Sequence, residues 1–119
     1  MVVEITEDNF EEEVLQSELP FVIDFYADWC VPCGEMEPVF EEVAKRLEGR
    51  VKCGRVDTAA QKSLRIKFAV ASLPTVSVVR DGAFIDVVDE LTAADEIVSR
   101  IERVLSGELD SRLARKLRR

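Results

Sequence analysis

The chain has 119 residues, enough for one domain with its own core, and its 24 Asp and Glu outweigh 16 Lys and Arg to give a net charge of −8. That sign excludes a nucleic-acid binder, which needs a basic face for the phosphates. Three cysteines and no histidine exclude the common Cys/His zinc patterns, and no apolar run approaches the roughly 18 residues of a membrane span, so no metal and no integral membrane segment are expected.

The first eight residues show no basic region ahead of an apolar run, so no signal peptide is expected. With an odd cysteine count, this points to a reducing, cytoplasmic setting. Residues 2–5 read as a short strand and residues 9–17 as a helix. Residues 21–26 form a nearly continuous apolar run, the pattern of a strand buried on both faces, interrupted by Asp24. Residues 33–47 repeat Met36, Val39, Phe40, Val43, Ala44 and Leu47 at helical spacing, with Pro38 expected to kink the helix. Residues 51–57 read as a strand and 59–68 as a short helix. Residues 75–80 and 83–88 form a hairpin through Asp81-Gly82. Thr92 begins the last helix, with Asp95 spaced to complete a capping box. The order implies an α/β fold with a central mixed sheet and helices packed against it.

Residues 107–119 differ from the rest. Five cations against two acids give this tail +3, leaving −11 on the remainder. Leu105, Leu109, Leu113 and Leu117 recur every four residues, which would stripe one face of a helix. A domain over 1–106 followed by a basic amphipathic extension over 107–119 is expected. The extension reads as a solvated helix capping the domain or a frayed end, with docking to a partner or an acidic surface as the alternative.

The chemistry concentrates in Trp29-Cys30-Val31-Pro32-Cys33, between a strand and a helix. Two cysteines at this spacing can close a small reversible disulfide, and such a pair reads as a thiol–disulfide redox site. Pro32 suits the first turn, where a missing N–H costs nothing. Cys30 at the positive helix end gains thiolate character from the amides of Cys33 and Gly34. It is the expected nucleophile, and Cys33 the resolving thiol that releases a mixed disulfide. Two buried structural cysteines are the plainer alternative. Asp24, in an apolar strand, should have a raised pKa and exchange a proton with Cys33; an Asp held by a hydrogen bond on a half-exposed face is the rival. Cys53 reads as a small buried hydrophobe or, alternatively, a regulatory thiol.

These residues resemble the thioredoxin family. The likeness comprises Asp24, the Trp-Cys-x-Pro-Cys segment, Pro38, and Leu73-Pro74-Thr75 ahead of the hairpin, over about residues 10–105. It implies a thioredoxin fold, a central mixed β-sheet flanked by helices on both faces. The implied activity is reduction of protein disulfides through the Cys30–Cys33 couple, with no cofactor beyond that disulfide. It also implies a cis Pro74 in the substrate groove and a groove drawn from Trp29, Val31, Pro32, Leu73, Thr75 and Glu90. Expected partners are protein disulfide substrates and an electron donor of the thioredoxin-reductase type, with the chain itself a monomer.

The chain departs from the family pattern at four places. Val31 replaces a Gly, Gly34 a Lys or Arg, and Glu90 a Gly at the groove. Cys53 stands where a Lys would neighbour Asp24, which should leave that carboxylate even less stabilised as an anion. An oxidase or isomerase with altered potential, and a thioredoxin-like binding module, are the alternative functions.

Overall fold

The computed structural model describes residues 1–107 and 114–117. Its centre is one six-stranded mixed sheet, with strands β1 (Val2–Glu4), β2 (Phe21–Tyr26), β3 (Lys52–Asp57), β4 (Thr75–Arg80), β5 (Ala83–Val88) and β6 (Arg115–Lys116) in the order β1-β3-β2-β4-β5-β6. β1, β3 and β2 run parallel, whereas β4, β5 and β6 continue antiparallel from β2. Helices α1 (Val31–Arg46), α2 (Lys62–Lys67) and α3 (Ala94–Leu105) and a π-helical turn (Glu11–Leu15) are the remaining elements of the described residues. The expected 9–17 helix is reduced to that turn.

The alternation of β2 divides the molecule into two cores. Successive side chains of a strand point to opposite faces. Phe21, Ile23 and Phe25 join Phe10, Val14, Leu64 and Phe68 on the side of the π-turn and α2. Phe68 is the hub there, with ring centroids 5.0 Å from Phe25 and 4.8 Å from Phe84. Val22 turns the other way, to Met36, Phe40 and Val43 of α1 and Ile97 and Ile101 of α3. Helices thus cover both faces, as expected. Asp24 shares the parity of Val22, so its carboxyl is committed to the α1 side of the sheet.

Two backbone features fix the local geometry. Asp81 and Gly82 have φ of 55° and 73°, the pair of positive values that a tight type I′ hairpin demands. Gly54 in β3 has no room for a side chain, since a Cβ there would stand 2.7 Å from Ile5 Cγ1 and 2.8 Å from the Val3 carbonyl oxygen.

The expected capping box at α3 does not form. Ala93 is the N-cap and makes no side-chain cap; Thr92 Oγ1 donates to the Glu90 carbonyl, and Asp95 pairs with Arg46 of α1 at 2.6 Å. An ion pair between helices takes the carboxylate that the local motif would use.

The tail also departs from its expected form. Arg115–Lys116 adds a strand to the β5 edge instead of extending a helix, and the Leu117 N–H donates to the Gly82 carbonyl at 2.9 Å. Leu117 packs against the Phe68 core, Arg115 lies over the Phe84 ring and Arg115 pairs with Asp86 at 2.8 Å. Open sheet edges seek backbone partners, and β5 is a nearer partner for these residues than solvent. Leu109 and Leu113 lie outside the described residues. No helix of the described chain is long and apolar enough to cross a membrane.

Candidate active site

β2 delivers the chain to the site through a turn closed by Cys30 N–H on the Ala27 carbonyl, at 3.1 Å. Cys30 is the N-cap of α1, with extended backbone, and α1 begins at Val31 rather than at Cys33. Pro32 lies in the first turn, where no helical donor is lost. Cys30 and Cys33 are joined by a disulfide across that turn, with Cα atoms 5.3 Å apart. The Cys33 N–H is shared between the Cys30 carbonyl at 3.1 Å and Cys30 Sγ at 3.3 Å, while the Gly34 N–H goes to the Cys30 carbonyl alone. An amide aimed at a sulfur at the positive helix end favours the thiolate once the pair is reduced.

The two sulfurs differ in access. Cys30 is 8% exposed and Cys33 1%. Cys30 lines an open cleft of about 570 Å³ with Trp29, Val31, Pro32, Thr58, Arg65, Val70, Ala71, Ser72 and Leu73; Cys33 does not. Trp29 and Val31 stand out into solvent, 75% and 74% exposed. The Leu73–Pro74 peptide is cis. A larger cleft of about 750 Å³ lies between α2 and β6. It contains neither cysteine, so the chemistry belongs to the smaller one.

Two of the expected groove residues do not line this cleft. Thr75 is buried, its Oγ1 donating to the Ser72 carbonyl at 2.6 Å, and its side chain is not on the cleft wall. The first residue of a central strand turns its side chain into the sheet layers. Glu90 is an exposed loop residue outside the cleft lining, its carbonyl occupied by Thr92.

Asp24 is fully buried, and an arginine takes the place of the missing lysine beside it. Arg55 lies beside it on the neighbouring parallel strand, and Arg55 Nε donates to Asp24 Oδ2 at 3.2 Å. The other oxygen, Oδ1, has no hydrogen-bond partner among the described residues. Desolvation raises the Asp24 pKa from 3.8 to about 7; Arg55 opposes this, and Glu37 and Glu4 add to it. The guanidinium is itself shared. It donates to Glu37 Oε2 of α1 at 2.7 Å and stacks 3.9 Å from the Tyr26 ring centroid. The Tyr26 hydroxyl donates to Glu4 at 2.8 Å, and burial with this bond raises its pKa. Arg55 was legible in principle, since it lies two residues after Cys53 and on the same strand face.

Cys53 is a free, buried thiol whose pKa burial pushes up to about 12. Among the described residues no cluster of His, Cys, Asp or Glu could hold a metal ion.

Comparison with known proteins bears directly on this arrangement. The thioredoxin family model matches residues 1–103. A thioredoxin of Rickettsia bellii is 39% identical over 82 residues, 69% of this chain and 78% of that protein. A thioredoxin of Synechocystis is 31% identical over 102 residues, 86% of this chain and 95% of that one. Among solved structures, chloroplastic thioredoxin z superposes with a TM-score of 0.77 at 23% identity, covering 90% of this chain and 97% of that one, a likeness of fold.

Proposed function

Since the chain belongs to the thioredoxin family and is a thiol–disulfide oxidoreductase of the protein-disulfide-reductase kind, we propose that Cys30 attacks client disulfides, Cys33 resolves, and Asp24 handles the resolving proton. The observation that carries this reading is the asymmetry of the pair: Cys30 faces an open cleft and receives the Cys33 amide, while Cys33 is closed off behind it.

In the reduced protein the Cys30 thiolate attacks one sulfur of a client cystine. The Cys30–client bond forms, the client S–S bond breaks, and the first client thiolate departs and takes up a proton. Cys33 then loses its proton to the Asp24 carboxylate, and its thiolate attacks Cys30 Sγ. The second client thiolate leaves, and the two electrons of the dithiol now reside on the client. A pKa near 7 suits the Asp24 role, because the carboxyl can both accept and return a proton near neutrality. Arg55 keeps that value from rising further.

The client segment lies along Trp29, Val31, Pro32 and Leu73, beside the cis Pro74. A reductase of the thioredoxin-reductase type regenerates the dithiol, and electron transport in redox homeostasis follows from that cycle. The free Cys53 thiol suits a reducing compartment such as the cytoplasm. The working unit is a monomer with a domain over 1–106 and the segment 107–119 as an extension.

Insulin reduction followed by turbidity tests the assignment. Cys30→Ser should abolish turnover, whereas Cys33→Ser should accumulate mixed disulfides with clients on non-reducing gels. Equal trapping by both variants would overturn the division of roles.

A further inference from the structure

Among the described residues, the wall of the cleft around Cys30 carries a single charged side chain, Arg65 of α2. Most of its neighbours on that wall, including Trp29, Val31, Val70 and Leu73, are apolar or aromatic, with Thr58 and Ser72 the uncharged polar members. Arg65 is exposed, and no hydrogen bond or ion pair among the described residues engages its guanidinium. Five other described arginines of this acid-rich chain are paired. Arg46, Arg50, Arg55, Arg100 and Arg115 each sit against a carboxylate. Arg65 is left with its fork open at the mouth of the reactive site.

A guanidinium is well matched to a carboxylate, which it can grip with two parallel N–H donors. The apolar part of the wall suits hydrophobic side chains of the same ligand. The net charge of −8 repels acidic partners over long range, so a local cation is the feature that can reverse this at the site. We propose that Arg65 selects clients whose cystine is flanked by apolar residues and an Asp or Glu, by pairing with that carboxylate while Cys30 engages the disulfide. The inference rests on the reading of Cys30 as the attacking cysteine.

The energetic scale is that of an exposed pair, modest and weakened by salt. It corresponds to a preference of about two- to five-fold in kcat/KM rather than to absolute selection.

Three synthetic cystine peptides that differ only in Glu, Gln or Lys beside the disulfide provide the test. At low ionic strength the wild-type protein should reduce them in the order Glu, Gln, Lys, with the spread collapsing at high salt. Arg65→Gln should level the Glu and Gln peptides, and Arg65→Glu should place the Lys peptide first. Ratios taken within each variant cancel any general change in rate. Equal turnover of the Glu and Gln peptides by wild type, or an undiminished preference in Arg65→Gln, would overturn the role of Arg65 and leave the cysteine assignment standing. Turnover that persists in Cys30→Ser would overturn the cysteine assignment and this inference with it.

Discussion

Asp24→Asn should stabilise the protein by an amount that depends on pH. The carboxyl is wholly buried, one of its oxygens lacks a partner among the described residues, and its pKa stands near 7 against 3.8 when unperturbed. Between those two values the folded protein holds a proton that the unfolded chain has released. Stability from this group is therefore full below about pH 4 and is lost as pH rises to 7. At about 1.4 kcal/mol for each tenfold step, the loss above pH 7 reaches about 4 kcal/mol. Asparagine keeps the shape and never ionises, so the variant escapes that loss. It weakens the Arg55 contact at a cost of about 1 kcal/mol, because Arg55 retains Glu37. Urea unfolding of both proteins from about pH 4 to pH 8 should show their stability difference growing by about 3–4 kcal/mol in favour of the variant, then levelling off. Titrations of the other carboxylates cancel in the comparison. A difference independent of pH would refute the reasoning, since Asp24 would then titrate alike in the folded and unfolded chain. Resolution of mixed disulfides by the variant should slow, with its proton acceptor gone.

Cys53, 3% exposed and with its pKa near 12, should resist iodoacetamide at about pH 8 and react once urea unfolds the chain; rapid labelling of the native protein, mapped by peptide mass, would contradict its burial. Truncation after Ser106 removes β6 with its Arg115–Asp86 pair and the Leu117 bond to Gly82. The expected loss is about 1 kcal/mol, a fall of about 4 °C in Tm for a domain of this size. The bared β5 edge should also favour association at high concentration. Insulin reduction should be unaffected, because no described tail residue lines the Cys30 cleft. An unchanged Tm would show that the strand contributes nothing.

Most of the elements and the reactive pair were legible in the sequence, because both are written in local order. The apolar run of β2, the periodicity of α1 and the Asp-Gly turn are short-range patterns, and the backbone follows them. Cys-x-x-Cys between strand and helix is likewise local: the spacing alone brings both sulfurs onto one helical turn. What lay outside that reach was every feature made by residues distant in the chain. Arg55 meets Asp24 only because β3 runs beside β2 in a particular register, 31 residues away in sequence. Asp95 leaves its own helix end because Arg46 of α1 is packed close enough to outbid the cap. The tail leucines promised a helix by periodicity, yet the segment around Leu117 found an unpaired sheet edge, and the backbone donors of an edge outweigh a weak local preference. Arg65 carried no signal in the sequence at all. Its proposed role arises only because tertiary packing places α2 beside Cys30 and leaves its guanidinium unpaired among the described residues.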